Sequence, residues 1–262
     1  MRVLPWPTPF LMAIALFFPP TVAAQRPFVT SRDSITEEAG KLLNAGRGNE
    51  ARILLQRSAR ENASPALRAL YRLELGNSYL FDGMYVDARR TYDAVLAGSD
   101  AKGVDSLLSW AHRGIGMADA LSGREVRGAT HLGEALAFPV APQYALADSI
   151  EMLIVTGQHD AAAKALDRLE GSNTTQGTQQ YAHAFRAVNS MLAGHCTRAL
   201  EELAKAPYQD RPVPRAVRGR CASKHGRTAE AAAIRDSVLK QPMPDPFAWT
   251  MIIARDAARK IR

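Results

Sequence analysis

Small and apolar residues recur along this chain at fixed distances from six regularly spaced glycines. A small residue stands five positions after every one of these glycines, and a small residue also stands seven positions before five of them. Larger apolar residues stand nine positions after five of the six, and successive glycines are 32 to 40 residues apart. The six are Gly46, Gly83, Gly123, Gly157, Gly194 and Gly226. A period of this length is typical of a helical-repeat protein.

The spacing around each glycine predicts two antiparallel helices joined by a tight turn. Apolar and small residues three and four positions apart define one helix face, and glycine most readily adopts the left-handed conformation that ends a helix. Small residues before and after the turn allow the two helices to approach closely where they cross. Prolines near the expected ends of the second helices, such as Pro139 and Pro207, favour the same boundaries. The sequence therefore predicts an all-α protein.

The registered positions resemble those of the tetratricopeptide repeat, in which Leu-Gly, an aromatic residue and Ala recur over about 34 residues. The second repeat carries this pattern through Leu75, Gly76, Tyr79, Ala88, Tyr92 and Val95. The third repeat has Ile115 and Gly116, and the other four depart further from the pattern. The resemblance covers residues 33–244. It implies an α-solenoid of about six degenerate helix pairs, whose first helices line a concave groove that binds peptides.

A final helix is predicted over residues 245–262. Asp245 is a suitable N-cap and Pro246 a suitable first helical residue, and Met251 and Ile252 contribute to an apolar face. Basic residues crowd the end of this helix, where they suit the helix dipole. We interpret the helix as the solvating C-terminal cap that a stack of repeats needs, with a membrane-binding basic helix as the alternative.

The first helices offer candidate groove residues, chosen by their position relative to the turn glycines. Trp110, Tyr144 and Tyr181 all stand thirteen residues before a turn glycine, so stacking would align three aromatic side chains. The complete set is Leu73, Asn77, Phe81, Trp110, Arg113, Met117, Tyr144, Glu151, Tyr181, Val188 and Arg220. Packing of the same residues against neighbouring helices as ordinary core is an open alternative. The lysines of the family's carboxylate clamp are missing, so recognition of a peptide C-terminus is not expected.

The first 24 residues have the pattern of a secretory signal peptide. Arg2 precedes an apolar run over residues 10–18, two prolines follow, and small residues at 22–24 provide a cleavage site. The apolar run is much shorter than the roughly 20 residues that a membrane-spanning helix needs. We therefore expect residues 1–24 to be removed from a soluble exported protein, periplasmic or secreted, in which residues 25–32 lead into the repeats.

The composition matches a soluble globular protein, with 47% apolar and 23% charged residues, and argues against a disordered, collagen-like or multi-span membrane protein. The net charge of +7 includes a basic stretch at residues 211–227. Nucleic acid is not expected as a partner, because the chain is predicted to be exported and carries no nucleic-acid-binding motif. We expect a protein or peptide ligand, with at most a weak contact between the basic stretch and an anionic envelope surface.

Familiar catalytic and cofactor motifs are missing from the sequence, which contains no His-Glu-x-x-His, Gly-x-Ser-x-Gly, P-loop or dinucleotide-binding pattern. His159, His195 and His225 each lie within two residues of a turn glycine, on what would be one edge of the stack. Successive repeats stand about 10 Å apart, too far for these histidines to share a metal ion easily. We therefore predict that the protein is not an enzyme and needs no metal or cofactor.

Cys196 and Cys221 are expected to lie near each other, because one begins a second helix and the other is near the end of the next first helix. An exported protein can form a disulfide at such a place. Two buried free thiols are the alternative.

These patterns lead to one functional hypothesis and two alternatives. The hypothesis is an exported helical-repeat protein that binds or scaffolds other proteins through a concave groove, without catalysis. One alternative is an envelope-associated enzyme or metal-binding protein that uses the histidine-bearing turn edge. The other is a membrane-peripheral adaptor that uses the basic C-terminal region.

Overall fold

The computed structural model describes residues 33–138, 142–171, 176–206, 210–243 and 248–261, with side chains described except in 142–148 and 176–181. Thirteen helices and no strand are present in these ranges. The predicted all-α class is therefore confirmed. The proposed signal peptide, residues 1–24, and the lead-in at 25–32 lie outside the described residues.

The first twelve helices form six consecutive antiparallel pairs. The pairs are α1 (Ser34–Asn44) with α2 (Gly48–Glu61), α3 (Pro65–Phe81) with α4 (Tyr85–Ala97), α5 (Asp105–Leu121) with α6 (Glu125–Leu136), α7 (Pro142–Val155) with α8 (His159–Gly171), α9 (Gln176–Leu192) with α10 (Cys196–Lys205), and α11 (Pro212–Lys224) with α12 (Thr228–Lys240). A last helix, α13 (Trp249–Arg259), follows them.

The turn inside each pair is built in the same way six times. All six predicted glycines have a positive φ, between 73° and 85°. In the second pair, the Gly83 N–H donates to the Leu80 carbonyl and the Met84 N–H donates to the Tyr79 carbonyl. The other five turns repeat this hydrogen-bond pattern at the equivalent positions. This arrangement satisfies carbonyls at the end of the first helix and requires a residue that tolerates positive φ, which explains the regular glycines.

Small residues lie where the two helices of a pair cross. A Cβ placed on Gly128 of α6 would lie 2.8 Å from the carbonyl oxygen of Gly116 of α5, and a Cβ on Gly116 would lie 3.0 Å from that of Gly128. The backbones are thus too close for larger side chains. The predicted role of the small positions holds at this crossing.

Larger residues fill the space between neighbouring pairs. The fully buried ring of Tyr92, on α4, contacts Gly76 of α3 on one side and Gly114 of α5 on the other. Its hydroxyl donates to the Asn77 Oδ1 at 2.5 Å, and the Asn77 amide donates to Glu74 at 3.0 Å. This buried polar chain orients the ring between two pairs.

Charged side chains also join the second and third pairs. Asp119 of α5 is fully buried and accepts hydrogen bonds from Arg89 of α4 and from Arg124, which directly precedes α6. Burial raises the pKa of Asp119, but these arginines outweigh that effect and leave the pKa below its usual value. The buried carboxylate is therefore ionised and satisfied by the two guanidinium groups.

The first helices pack side by side. The first helix of each pair contacts the first helix of the next pair. We call these six helices the first-helix layer: α1, α3, α5, α7, α9 and α11. Helix α1 is also tied to the segment before α13, because the Asn44 side chain donates to the Met243 carbonyl at 2.9 Å and accepts from the Met243 N–H at 2.8 Å. The first pair is therefore joined to the segment that follows the last pair.

Candidate binding surface on the first-helix layer

The last helix packs on the last pair and also on the first-helix layer. Helix α13 contacts α11 and α12, as a cap would, and it also contacts α3 and α7. Ile252 and Ile253 of this helix, and Ile261 just after it, are at most 5% exposed. The helix therefore covers part of the surface that the sequence assigned to a groove.

Helix α13 is held by the turn ends of α3 and α5. The Arg259 guanidinium donates to the Phe81 carbonyl, and the Lys260 ammonium donates to the Leu121 carbonyl at 3.1 Å. Phe81 and Leu121 end α3 and α5, where backbone carbonyls carry partial negative charge. In addition, the Tyr85 hydroxyl donates to Asp256. Basic residues of α13 thus bind the ends of other helices.

The prediction that α13 is a solvating cap needs correction for its basic residues. Arg255 lies over the Phe81 ring, 4.2 Å from its centroid, and donates to the Leu239 carbonyl at 2.9 Å. Burial, and then the neighbouring Arg259, lower the pKa of Arg255. Arg255 and Arg259 are partly buried against α3 and α12, and only Lys260 among the described basic residues of this end is exposed. The sequence alone did not show that backbone carbonyls near the ends of other helices would attract these residues.

Six of the predicted groove residues are buried. Leu73, Asn77, Phe81 and Met117 are at most 1% exposed, and Val188 and Glu151 are 5% and 9% exposed. They cannot contact a ligand in this conformation. For these six the groove assignment is corrected to core, which was the open alternative, because neighbouring helices and α13 cover them.

The remaining predicted groove residues differ from one another. Trp110 and Arg113 are half-buried on α5, and the Trp110 Nε1 is buried without a hydrogen-bond partner among the described residues. The Arg220 guanidinium donates to the carbonyl of Lys260, at the end of α13. Tyr144 and Tyr181 lie on α7 and α9, but their side chains are outside the described residues.

Two ionisable groups lie near Trp110, the half-buried Arg113 and the buried Glu151. Burial lowers the pKa of Arg113 to about 10 and raises the pKa of Glu151 to about 8, while the attraction between the two opposes both shifts. Glu151 is on α7, so the pair joins neighbouring first helices.

The three turn histidines do not converge. The Nδ1 of His159 lies 2.7 Å from the Oδ1 of Asn189, and this contact ties the fourth pair to the fifth. His195 and His225 are exposed at the ends of α10 and α11. A pocket of about 160 Å³ between α13 and the turn ends of α5 and α7 is lined by apolar side chains together with Glu125, His159, Asp256 and Lys260.

A different set of side chains comes together on the third pair. His112 of α5 and His131 and Glu134 of α6 bring one nitrogen or oxygen atom each to within 4.8 Å of one another. This cluster was not predicted from the sequence, because its histidines lie away from the turn glycines. The sequence did contain a signal for it. His131 and Glu134 are three residues apart, and Glu134 stands as far after Gly123 as His112 stands before it.

The two cysteines form a disulfide between the fifth and sixth pairs. Cys196 begins α10, Cys221 lies in α11, and their Cα atoms are 5.4 Å apart, within the range that a disulfide spans. Both residues are buried, at 6% and 0% exposure.

No protein-family model matches this chain, and comparison with curated proteins and with solved structures finds no match either. Among the helices of the described ranges, none is both long and apolar enough to span a membrane. The fold itself defines the class: this is an all-α protein of stacked helix pairs.

Proposed function

We propose that this protein is exported and binds or scaffolds another protein through the part of the first-helix layer that α13 leaves uncovered. The observation that carries the proposal is the binding of α13 itself. The layer holds an amphipathic helix through buried apolar side chains and through cations placed on helix-end carbonyls. A surface that binds one helix in this way is chemically suited to a second helical or extended segment.

Trp110 is the residue on which the proposed surface depends. It lies eleven residues before Leu121 on α5, and positions eleven apart share a helix face. Leu121 lines the pocket next to Ile253 of α13, whereas Trp110 lies about 16 Å further along the helix. A half-buried indole at this distance from the α13 pocket offers the large, rigid contact area that binding hot spots use.

Other parts of the proposal rest on the sequence. The pattern of residues 1–24 supports export, and the registered small and aromatic residues support kinship with tetratricopeptide repeats. The alternative of a membrane adaptor is less favoured, because Arg255 and Arg259 are engaged with backbone carbonyls and an aromatic ring. Those residues are not free to bind anionic lipid in this conformation.

Site-specific crosslinking tests the location of the surface. A photoreactive amino acid is placed at position 110 of the mature chain, residues 25–262, and the protein is exposed to an envelope extract. The matched control carries it at position 126, where Val126 is 81% exposed on α6. We expect one dominant crosslinked partner from position 110 and none from position 126. Equal crosslinking from both positions would contradict the proposed surface.

Replacement of the indole then tests its contribution. Trp110→Ala should weaken binding of the captured partner by about 2 kcal/mol, roughly 30-fold in Kd, whereas Val126→Ala should leave Kd unchanged. Thermal unfolding of both variants distinguishes a surface residue from core, since loss of a core indole costs about 3–5 kcal/mol of stability. A loss of that size with unchanged binding per folded molecule would refute the assignment.

A further inference from the structure

We propose that His112, His131 and Glu134 form a binding site for one transition metal ion, with Zn²⁺ as the fitting ion. The three residues supply two imidazole nitrogens and one carboxylate oxygen from the third helix pair. This donor set is the one that zinc takes in sites with three protein ligands, with the fourth position open to water. The site is separate from the proposed protein-binding surface.

The distances between donor atoms suit a tetrahedral ion. The Nδ1 atoms of His112 and His131 are 3.5 Å apart, and they lie 2.9 Å and 2.6 Å from the Oε2 of Glu134. Zinc bonds of about 2.0–2.1 Å at tetrahedral angles place ligand atoms about 3.3–3.4 Å apart. The two imidazoles already have this spacing. The carboxylate oxygen needs to withdraw by less than about 1 Å, which a side chain that is 46% exposed can do.

The ligands stand on a rigid part of the fold. His131 and Glu134 are three residues apart on α6 and therefore share a face. Helices α5 and α6 are in backbone contact at Gly116 and Gly128, and the Ser109 hydroxyl donates to the Ala135 carbonyl at 3.1 Å. Ligands on two helices that cannot move apart are preorganised for an ion.

A neighbouring aromatic ring restricts one of the ligands. Phe138 stacks on the His112 ring, with centroids 5.7 Å apart and planes 29° apart. The two histidine side chains are only 18% and 19% exposed. Their rings thus have little freedom to turn away from the shared point, while the exposed side of Glu134 leaves a path for the ion and a water ligand.

Two histidines are aimed at one carboxylate oxygen. Both Nδ1 atoms lie within 3 Å of the Glu134 Oε2, so three potential ligand atoms converge on one point. Both cysteines are in the disulfide, so no thiol competes for the ion. His112 stands two residues from Trp110, about 200° around α5, so the metal and the protein partner would occupy opposite faces.

The test uses the mature chain without a histidine tag, freed of metal with a chelator and titrated with Zn²⁺ by isothermal calorimetry. We expect saturation at one ion per chain. His131→Ala and Glu134→Gln should weaken binding about 10- to 100-fold, whereas His225→Ala, which removes an exposed turn histidine, should not change it. Absence of saturable binding in the micromolar range, or equal affinity in all four proteins, would overturn the proposal.

Two further readouts keep the test decisive if a variant folds poorly. Co²⁺ in the unaltered chain should give the intense visible absorption of a tetrahedral ion, and a weak octahedral spectrum would contradict the site. Zn²⁺ should also raise the melting temperature of the unaltered chain and of His225→Ala, and raise that of Glu134→Gln clearly less. A similar rise in Glu134→Gln would place the ion elsewhere and refute this assignment.

Discussion

Replacement of Gly114 by alanine tests whether the contact between the second and third pairs limits side-chain size. A Cβ at this position would lie 2.5 Å from two ring carbons of Tyr92 and 2.6 Å from a third. Carbon atoms in favourable contact are about 3.5–4.0 Å apart, so the overlap is about 1 Å. The Tyr92 ring cannot retreat, because Gly76 lies against it from α3 and Asn77 binds its hydroxyl.

The magnitude follows from two opposing effects. Overpacking in a well-packed core costs about 1–3 kcal/mol, and the better helix propensity of alanine returns up to about 1 kcal/mol. We therefore expect Gly114→Ala to lower the free energy of unfolding by about 1–2 kcal/mol. Gly133→Ala is the matched control, since nothing lies within 4 Å of a Cβ there and the residue is exposed in α6. It should raise the free energy of unfolding by about 0.5–1 kcal/mol.

Urea unfolding followed by circular dichroism measures both variants. A double-mutant cycle with Tyr92→Leu isolates the contact, because a smaller side chain makes room for the new methyl group. Gly114→Ala should then cost less in the Tyr92→Leu background, with a coupling energy of about 0.5–3 kcal/mol. If Gly114→Ala is as stable as the unaltered chain, or if the cycle shows no coupling, the packing argument is wrong.

Two further predictions concern electrostatics and the disulfide. Hydrogen bonds from Arg68 and Arg72 lower the pKa of Asp100 to about 2, so its stabilising effect is present above the unfolded pKa of 3.8 and is lost as pH falls towards 2. Asp100→Asn should therefore cost about 1–2 kcal/mol of stability at neutral pH, with the difference shrinking towards pH 2 in urea titrations; a constant difference would contradict it. Cys196 and Cys221 should resist alkylation in the unreduced protein after unfolding in urea, as measured by intact mass, and full alkylation without reductant would exclude the disulfide.

The turns were predictable because their determinant is local. A glycine with positive φ, followed five residues later by a small side chain, encodes the turn and the crossing within a dozen residues. The same local information could not separate groove from core. Leu73 and Met117 occupy the same helix register as groove residues would, and apolar character is equally suited to either environment.

The partners of α13 and the histidine cluster were not predictable for a different reason. An amphipathic helix reveals that it has a buried face but not what covers it, and the carbonyls that bind Arg259 and Lys260 belong to residues 178 and 139 positions earlier. The cluster of His112 with His131 and Glu134 required knowledge of the register between α5 and α6. Counting residues from Gly123 back along α5 and forward along α6 would have provided that register.

The tie between helix α1 and the segment before α13 changes how the protein should fold. In an open array of repeats, each unit contacts only its neighbours, and terminal units fray independently. Here Asn44 pairs with the backbone of Met243, 199 residues later, and α13 stabilises the ends of α3 and α5. Contacts of such high sequence separation slow folding and link these segments into one cooperative unit. We therefore expect the earliest helices to be synthesised to reach full protection from hydrogen exchange only after the last helix has docked.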